Sequence, residues 1–173
     1  NIFSRLGHAL HPGMIWVSSG ATEIGRLDYL RRHGHELEGS MDDVKTDYAA
    51  QGQAILMENY RRFIDPKYSV RQVLVEHQHF NDPEKRAHLQ GLFFRAAKQN
   101  AIPIVNYNDP VSFTENRKME LSVLKQQHDD VVECIDNDET AAVIAEAVHA
   151  RTLLLMTGVD GIYANPDDPS TLI

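Results

Sequence analysis

The chain has 173 residues, of which 42% are hydrophobic and 24% charged, and its formal net charge is −8 with the nine His counted as neutral. This balance predicts one globular domain over residues 1–173, and the acidic charge argues against binding to a nucleic acid backbone. No apolar run approaches the roughly 20 residues of a membrane span, so no membrane partner is expected. Because Cys134 is the only cysteine, no intramolecular disulfide can form, and a cytoplasmic location is expected.

Helical and strand-like patterns alternate in the first half of the chain. Apolar residues recur at helical spacing in residues 2–10, and the short apolar run at 14–17 predicts a buried strand. Residues 25–40 contain glycines and charged residues and predict a short helix followed by an exposed loop. A longer amphipathic pattern then predicts a helix over residues 42–63, and the β-branched run at 70–75 predicts a second strand.

The second half begins with a clear helix start, because the capping residue Asp82 is followed by Pro83. This helix is predicted to end at Asn100. The remaining predicted elements are, in order, a strand at 102–105, a polar and partly mobile helix in the insertion 111–130, a strand at 131–135, a helix at 140–150, a strand at 152–156 and a turn at 165–169.

This order of elements predicts an α/β fold. Strands that alternate with helices form βαβ units, and such units build a mostly parallel sheet sandwiched between two layers of helices. A first helix that leads at once into the strand at 14–17 also favours an earlier strand that is not part of this chain.

Polar loops follow three of the predicted strands. They are residues 18–21 (Ser-Ser-Gly-Ala), 106–109 (Asn-Tyr-Asn-Asp) and 136–138 (Asp-Asn-Asp). In open α/β sheets, ligands bind beyond the carboxyl ends of the strands, so these loops form the expected site. The alternative explanation for each loop is local, because Gly, Asn and Asp also favour tight turns and helix starts.

A fourth loop, residues 157–163 (Thr-Gly-Val-Asp-Gly-Ile-Tyr), follows the strand predicted at 152–156. Its two glycines would let backbone amides approach a phosphate, and its Tyr would pack against a flat base. It is not a Walker loop, because the sequence contains no Gly-Lys followed by Ser or Thr.

Other catalytic patterns are weaker. The pairs His33 with His35 and His77 with His79 lack a third ligand at recognisable spacing, so no metal site is assigned. Cys134 has no basic partner nearby in sequence and is expected to be a buried structural thiol. Ser18 and Ser19 lie outside any Gly-x-Ser-x-Gly elbow, which argues against a serine hydrolase.

Taken together, these segments resemble the amino acid kinase family, most closely its glutamate 5-kinase branch. The similarity extends over about residues 14–173 and depends on several motifs that occur in the family's order. Residues 17–21 resemble the family's Ser-Gly-Ala turn, and residues 50–53 (Ala-Gln-Gly-Gln) resemble its following helix. Residues 102–111 are similar to its Pro-Ile-Ile-Asn-Glu-Asn-Asp segment, and residues 136–138 to its Gly-Asp-Asn-Asp loop. Residues 153–163 are similar to its nucleotide strand and turn.

The resemblance implies transfer of the ATP γ-phosphoryl group, with Mg²⁺, to the side-chain carboxylate of glutamate, as in proline biosynthesis. It implies a small-molecule substrate and a homo-oligomer. It also implies roles for ten residues. Ser19, Asp109 and Asn137 would contact glutamate with Asn106 nearby, Gly20 would donate its amide to the phosphoryl group, Asp138 would orient basic residues, and Thr157, Gly158, Gly161 and Tyr163 would form the nucleotide site.

The sequence also departs from the family pattern. The family's phosphate-binding Lys residues would lie before Asn1 and after Ile173, so the domain is expected to be incomplete at both ends and weak or inactive alone. Tyr107 replaces an expected acid, and the segment 111–130 is longer than its counterpart.

Two alternatives to a glutamate kinase stay open at this point. Residues 157–163 are at least as similar to the uridylate kinase branch, although the loop 106–109 offers no basic residue for an acceptor phosphate. The second alternative is a binding protein of the same fold that performs no turnover.

Overall fold

A computed structural model of the chain describes residues 1–158, 160–165 and 167–173. The predicted turns at 157–161 and 165–169 therefore each include one residue, Val159 and Pro166, that lies outside the described part. The elements are α1 (Ile2–Ala9), β1 (Trp16–Val17), α2 (Ala21–His33), α3 (Met41–Phe63), β2 (Ser69–Val75), α4 (Gln78–Asn81), α5 (Pro83–Lys98), β3 (Ala101–Tyr107), α6 (Thr114–Gln127), α7 (Asn137–Ala147) and a final 3₁₀ turn (Pro169–Thr171).

The three strands form one parallel sheet in the order β1-β3-β2. Trp16 and Gln72 both pair with Ile104 of the central strand, and this register brings the carboxyl ends of all three strands to one edge. Every residue of β3 is buried, as expected for a parallel strand that is covered on both faces. The predicted α/β class with a parallel sheet is confirmed.

Hydrophobic clusters lie on both faces of the sheet. Ile102 and Ile104 pack with Leu56 and Tyr60 of α3 in one cluster. The alternate residues Val105 and Tyr107 belong to the other cluster, together with side chains from β2, α5 and α7. Since neighbouring residues of a strand point to opposite faces, this division places helices on both sides of the sheet, as predicted.

Helix α2 lies unusually close to α3. A Cβ atom added at Gly52 would lie 1.7 Å from the carbonyl oxygen of Ala21, and one added at Gly25 would lie 1.9 Å from that of Tyr48. Both distances are far shorter than any van der Waals contact, so only glycine fits at these two crossings. The contact fixes the start of α2, which directly follows β1, against the body of the domain.

The prediction of a strand at 131–135 is wrong. The backbone of Val132 pairs with a side chain rather than with a strand, because Asn81 donates to the Val132 carbonyl at 2.9 Å and accepts from its N–H at 2.8 Å. At Val132, one amide side chain thus takes the place of a neighbouring strand. The segment stays irregular, and Cys134 within it is fully buried as expected.

The prediction of a strand at 152–156 is also wrong. These residues have no regular secondary structure, and the four apolar side chains at 153–156 are 43% to 79% exposed. An apolar run favours burial, but a strand also needs a neighbouring strand to satisfy its N–H and C=O groups. Within the described part of the chain, no strand pairs with this segment.

The other differences are shifts of boundaries. Helix α2 begins at Ala21, well before the predicted short helix in 25–40, and α7 begins at Asn137 rather than Thr140. The segment 111–130, which was predicted to be an insertion, contains the predicted helix as α6. Among the described residues, no helix is both long enough and apolar enough to cross a membrane.

Candidate functional site

Four segments surround the carboxyl edge of the sheet. They are the loop between β1 and α2, the residues that follow β2, the loop between β3 and α6, and the first turn of α7, which contacts both β1 and β3. This is the edge at which parallel α/β folds bind ligands. Five of the predicted site residues lie in these segments, namely Ser19, Gly20, Asp109, Asn137 and Asp138, and a sixth, Asn106, lies near the end of β3.

The two serines after β1 have different surroundings. Ser18 is buried, donates its N–H to the carbonyl of Val105 at 2.8 Å, and shares a 2.6 Å hydrogen bond with the hydroxyl of Tyr60. Tyr60 also accepts from the indole N–H of Trp16 at 2.7 Å. Ser19 is exposed. Ser18 therefore fixes the loop, while the Ser19 hydroxyl is accessible to a ligand.

Helix α2 begins after Gly20, and the space around Gly20 is open. It has φ 97° and ψ 1°, a left-handed conformation that favours glycine, and it precedes the first residue of α2. No side chain caps this helix, and nothing lies within 4 Å of a Cβ atom built at Gly20. Uncapped N–H groups and the helix dipole make such a start suitable for an anion such as a phosphoryl group.

Asn106 provides an unsatisfied acceptor. Its side chain is almost completely buried and its Nδ2 donates to Oε1 of Gln53 at 2.9 Å, while its Oδ1 has no hydrogen-bond partner among the described residues. A buried acceptor without a partner is costly and needs an explanation. A donor supplied by a ligand at the end of β3 would satisfy it.

Asp109 is held by an arginine that sequence reasoning missed. Arg117 of α6 forms an ion pair with Asp109, and its guanidinium is buried while the Asp109 side chain is 36% exposed. The guanidinium also lies over the ring of Tyr107, with 3.5 Å between its central carbon and the ring centre. The polar composition of 111–130 gave no sign of this role, because a buried Arg in a charged segment looks like any surface Arg.

The start of α7 is tied to β3. Oδ1 of Asn137 accepts from the N–H of Tyr107 at 3.2 Å, just where the central strand ends. Asp136 accepts from the N–H of Glu139 at 2.8 Å, and the Glu139 carboxylate accepts in return from the N–H of Asp136 at 3.4 Å and also from that of Ile135 at 2.7 Å. This capping box fixes the start of α7. Asn137, the first residue of α7, therefore has a fixed position from which its side chain contacts the end of β3. Asp138 beside it is exposed.

His77 and His79 have different surroundings. His77 immediately precedes α4 and His79 lies within it, so neither is on a strand, and they have different partners. Nε2 of His77 is 2.6 Å from the carboxylate of Glu120, whereas Nδ1 of His79 accepts from the N–H of Glu76 at 2.9 Å. The second residue missed by sequence reasoning is thus Glu120, which links α6 to the end of β2.

Cys134 is a structural thiol. Its Sγ lies 2.9 Å from the hydroxyl of Thr140, and burial raises the pKa of the thiol above its ordinary value. A protonated, inaccessible thiol is a poor nucleophile. It stabilises the turn from residue 134 into α7 rather than reacting.

The predicted nucleotide residues are in the irregular C-terminal segment. Thr157 and Gly158 are exposed, while Gly161 and Tyr163 are half-buried. Tyr163 forms an isolated antiparallel bridge with Leu172, so the segment folds back on itself. The roles of these four residues stay predictions.

We predict that alanine at Ser18 lowers stability and that alanine at Ser19 does not. Ser18→Ala removes the hydrogen bond to Tyr60 and should lower the free energy of unfolding by about 1–2 kcal/mol, because it leaves a buried hydroxyl with one partner fewer. Ser19→Ala should leave stability within about 0.5 kcal/mol, since Ser19 is exposed. Urea denaturation of both variants measures this difference, and equal losses would contradict it.

The fold and the edge just described are those of a ligand-binding α/β domain. A comparison with family models then gives the family, since the model described as "Amino acid kinase family" matches residues 3–173. The chain belongs to the amino acid kinase family.

Curated relatives point to one branch of this family. The chain is 30% identical to a protein named glutamate 5-kinase from Enterococcus faecalis over 91% of this chain and 52% of that protein. It is 33% identical to one from Symbiobacterium thermophilum over 90% of this chain and 52% of that protein, and 30% identical to one from Halalkalibacterium halodurans over 94% and 37%. The chain therefore spans between about a third and a half of these relatives' lengths, and the predicted likeness to glutamate 5-kinases is confirmed.

Proposed function

We propose that the protein transfers the γ-phosphoryl group of ATP to the side-chain carboxylate of L-glutamate. One observation carries the proposal: the open, uncapped start of α2 at Gly20 and the acceptor groups of Asn106 and Asp109 lie at the same edge of the sheet. The first suits a phosphoryl group, and the second suits the ammonium group of an amino acid. The relatives named glutamate 5-kinase support the same acceptor.

Each residue then has a chemical role. Asp109 would pair with the substrate ammonium group, and Ser19 and Asn137 would hydrogen-bond the substrate. A glutamate carboxylate oxygen attacks the γ-phosphorus, the bond from that phosphorus to the β,γ-bridging oxygen breaks, and ADP leaves. The product is an acyl phosphate. Such a transfer depends on positioning and charge stabilisation more than on proton transfer.

The amide of Gly20 would donate to the phosphoryl group in this step, and Asp138 would orient basic groups around the phosphates. Residues 157–163 would contact the nucleotide. Mg²⁺ would arrive bound to the ATP phosphates, as is usual for this ion. It would neutralise charge on the transferring group.

A uridylate acceptor is less consistent with these contacts. It would bring a second phosphate to the end of β3, where the buried Arg117 already pairs with Asp109. The carboxylate and the unsatisfied Asn106 acceptor there favour a cationic ligand group instead.

Hydroxylamine trapping tests the proposal, because an acyl phosphate reacts with hydroxylamine to give a hydroxamate. The assay uses the full-length gene product with MgATP, L-glutamate and hydroxylamine, since the relatives are longer than this chain. We expect hydroxamate with L-glutamate and none with L-glutamine, which lacks the side-chain carboxylate. ADP release that depends on UMP, without any hydroxamate from glutamate, would overturn the proposal.

A further inference from the structure

Arg117 is the buried cation of the site. Its side chain is 5% exposed, although it belongs to α6, whose other charged residues are exposed. A guanidinium has five N–H donors and no means of losing its charge, so burial is tolerated only when acceptors surround it. The acceptors around Arg117 indicate what the buried charge does.

The acceptors of Arg117 come from two different loops. The loop after β3 provides the carboxylate of Asp109 and the carbonyl of Ser112, which accepts from Nε at 3.1 Å and from Nη2 at 2.7 Å. The segment before α7 provides the carbonyl of Ile135, which accepts from Nη1. One side chain therefore joins the loop that carries Asp109 to the segment that leads into Asn137.

The ring of Tyr107 forms the floor of this arrangement. Arg117 lies flat over the ring, whose hydroxyl accepts from the N–H of His77 at 2.9 Å. Stacking on an aromatic face and forked hydrogen bonds fix the orientation of a guanidinium in a way that the ammonium group of Lys cannot reproduce. The end of β3 and the start of α6 are thus held in one geometry.

We propose that Arg117 is a positioning residue for the amino acid substrate, and this inference rests on the proposed function. It acts through Asp109, because its own guanidinium is too buried to bind the substrate directly. Arg117 pairs with Oδ1 of Asp109, whose side chain is still 36% exposed and so accessible to an ammonium group. The insertion 111–130 therefore supplies the group that orders the acceptor half of the site.

The test compares Arg117→Met and Arg117→Lys with Lys125→Met in the full-length gene product. Lys125 is the matched control, because it lies on the same helix and also forms an ion pair. Its partner, at 2.5 Å, is Glu133 rather than Asp109. We expect the KM for glutamate to rise about 10- to 100-fold in Arg117→Met, as for other small misplacements of a binding group. The KM for MgATP should stay within about twofold. The KM for glutamate of Arg117→Lys should lie between those of Arg117→Met and the natural protein, and that of Lys125→Met should equal the natural protein's.

A double-mutant comparison separates positioning from general stability. If Arg117 acts through Asp109, then Asp109→Asn combined with Arg117→Met should bind glutamate no more weakly than Asp109→Asn alone. Circular dichroism identifies any variant that fails to fold, and Arg117→Lys then carries the comparison.

The outcomes are distinct. Equal losses of glutamate and MgATP affinity in the folded Arg117 variants, or additive losses in the double variant, would overturn this inference and leave the proposed function intact. A natural protein that neither binds nor phosphorylates glutamate would overturn both.

Discussion

Gly52→Ala should lower the free energy of unfolding by about 3 kcal/mol or more, at the upper end of what overpacking costs. The new Cβ atom would lie 1.7 Å from the carbonyl oxygen of Ala21, and its position is fixed by the backbone of α3 as that of the oxygen is by α2. Neither can rotate away as a side chain can, so α2 must move relative to α3. Because α2 begins at the ligand edge, the same variant should also weaken ligand binding. Urea denaturation followed by circular dichroism measures the loss.

Gly91→Ala is the matched control for this prediction. Gly91 also lies inside a helix, but a Cβ atom there would meet only the end of the flexible Arg95 side chain, at 2.8 Å. Alanine has the higher helix propensity, so this variant should be neutral or more stable by up to about 1 kcal/mol. Similar stabilities for the two variants would show that α2 and α3 do not cross as closely as described.

Gly20→Ala should reduce turnover about 100-fold or more, comparable with removal of one donor from a site that stabilises developing charge. The residue has φ 97°, so alanine would shift the backbone and turn the amide away from the position proposed for the phosphoryl group. The hydroxamate assay measures the turnover. Stability should fall by only about 1–2 kcal/mol, because the space around Gly20 is open.

Gly13→Ala controls for the strain itself. Gly13 has φ 96° and equally open surroundings, but it precedes β1 and so lies at the opposite end of the strand. We expect the same loss of stability in both variants and loss of turnover only in Gly20→Ala. Equal turnover in the two variants would remove Gly20 from the proposed transfer step.

Local signals predicted most of the fold. Asp82 followed by Pro83 gave the start of α5, and the side chain of Asp82 does accept from the N–H groups of Glu84 and Lys85. The apolar runs at 70–75 and 102–105 predicted β2 and β3, and β3 is buried along its whole length, as expected for a central parallel strand. The same reasoning failed at 131–135 and 152–156. An apolar run favours burial but does not show whether a neighbouring strand exists, and the side chains at 153–156 are exposed.

Sequence position suggested the candidate site residues near strand ends and helix starts, but it did not predict contacts between residues that are distant in sequence. Gly20 and Asn137 each lie at a helix start and Asn106 lies near the end of a strand, so position alone suggested them. Arg117 contacts Ile135 from 18 residues away, and Gln53 contacts Asn106 from 53 residues away. Sequence spacing carries no information about such contacts. They become visible only when the packing of α3 and α6 against the sheet is known.

Thermal unfolding with candidate ligands tests the central claim most directly, because it needs binding and no turnover. The chain is heated alone, with L-glutamate, with UMP and with MgATP. A ligand at 100 times its Kd should add about 2.7 kcal/mol to the free energy of unfolding. We expect a rise in Tm with L-glutamate and none with UMP, and the rise should be lost in Asp109→Asn. Stabilisation by UMP and not by glutamate would contradict the account.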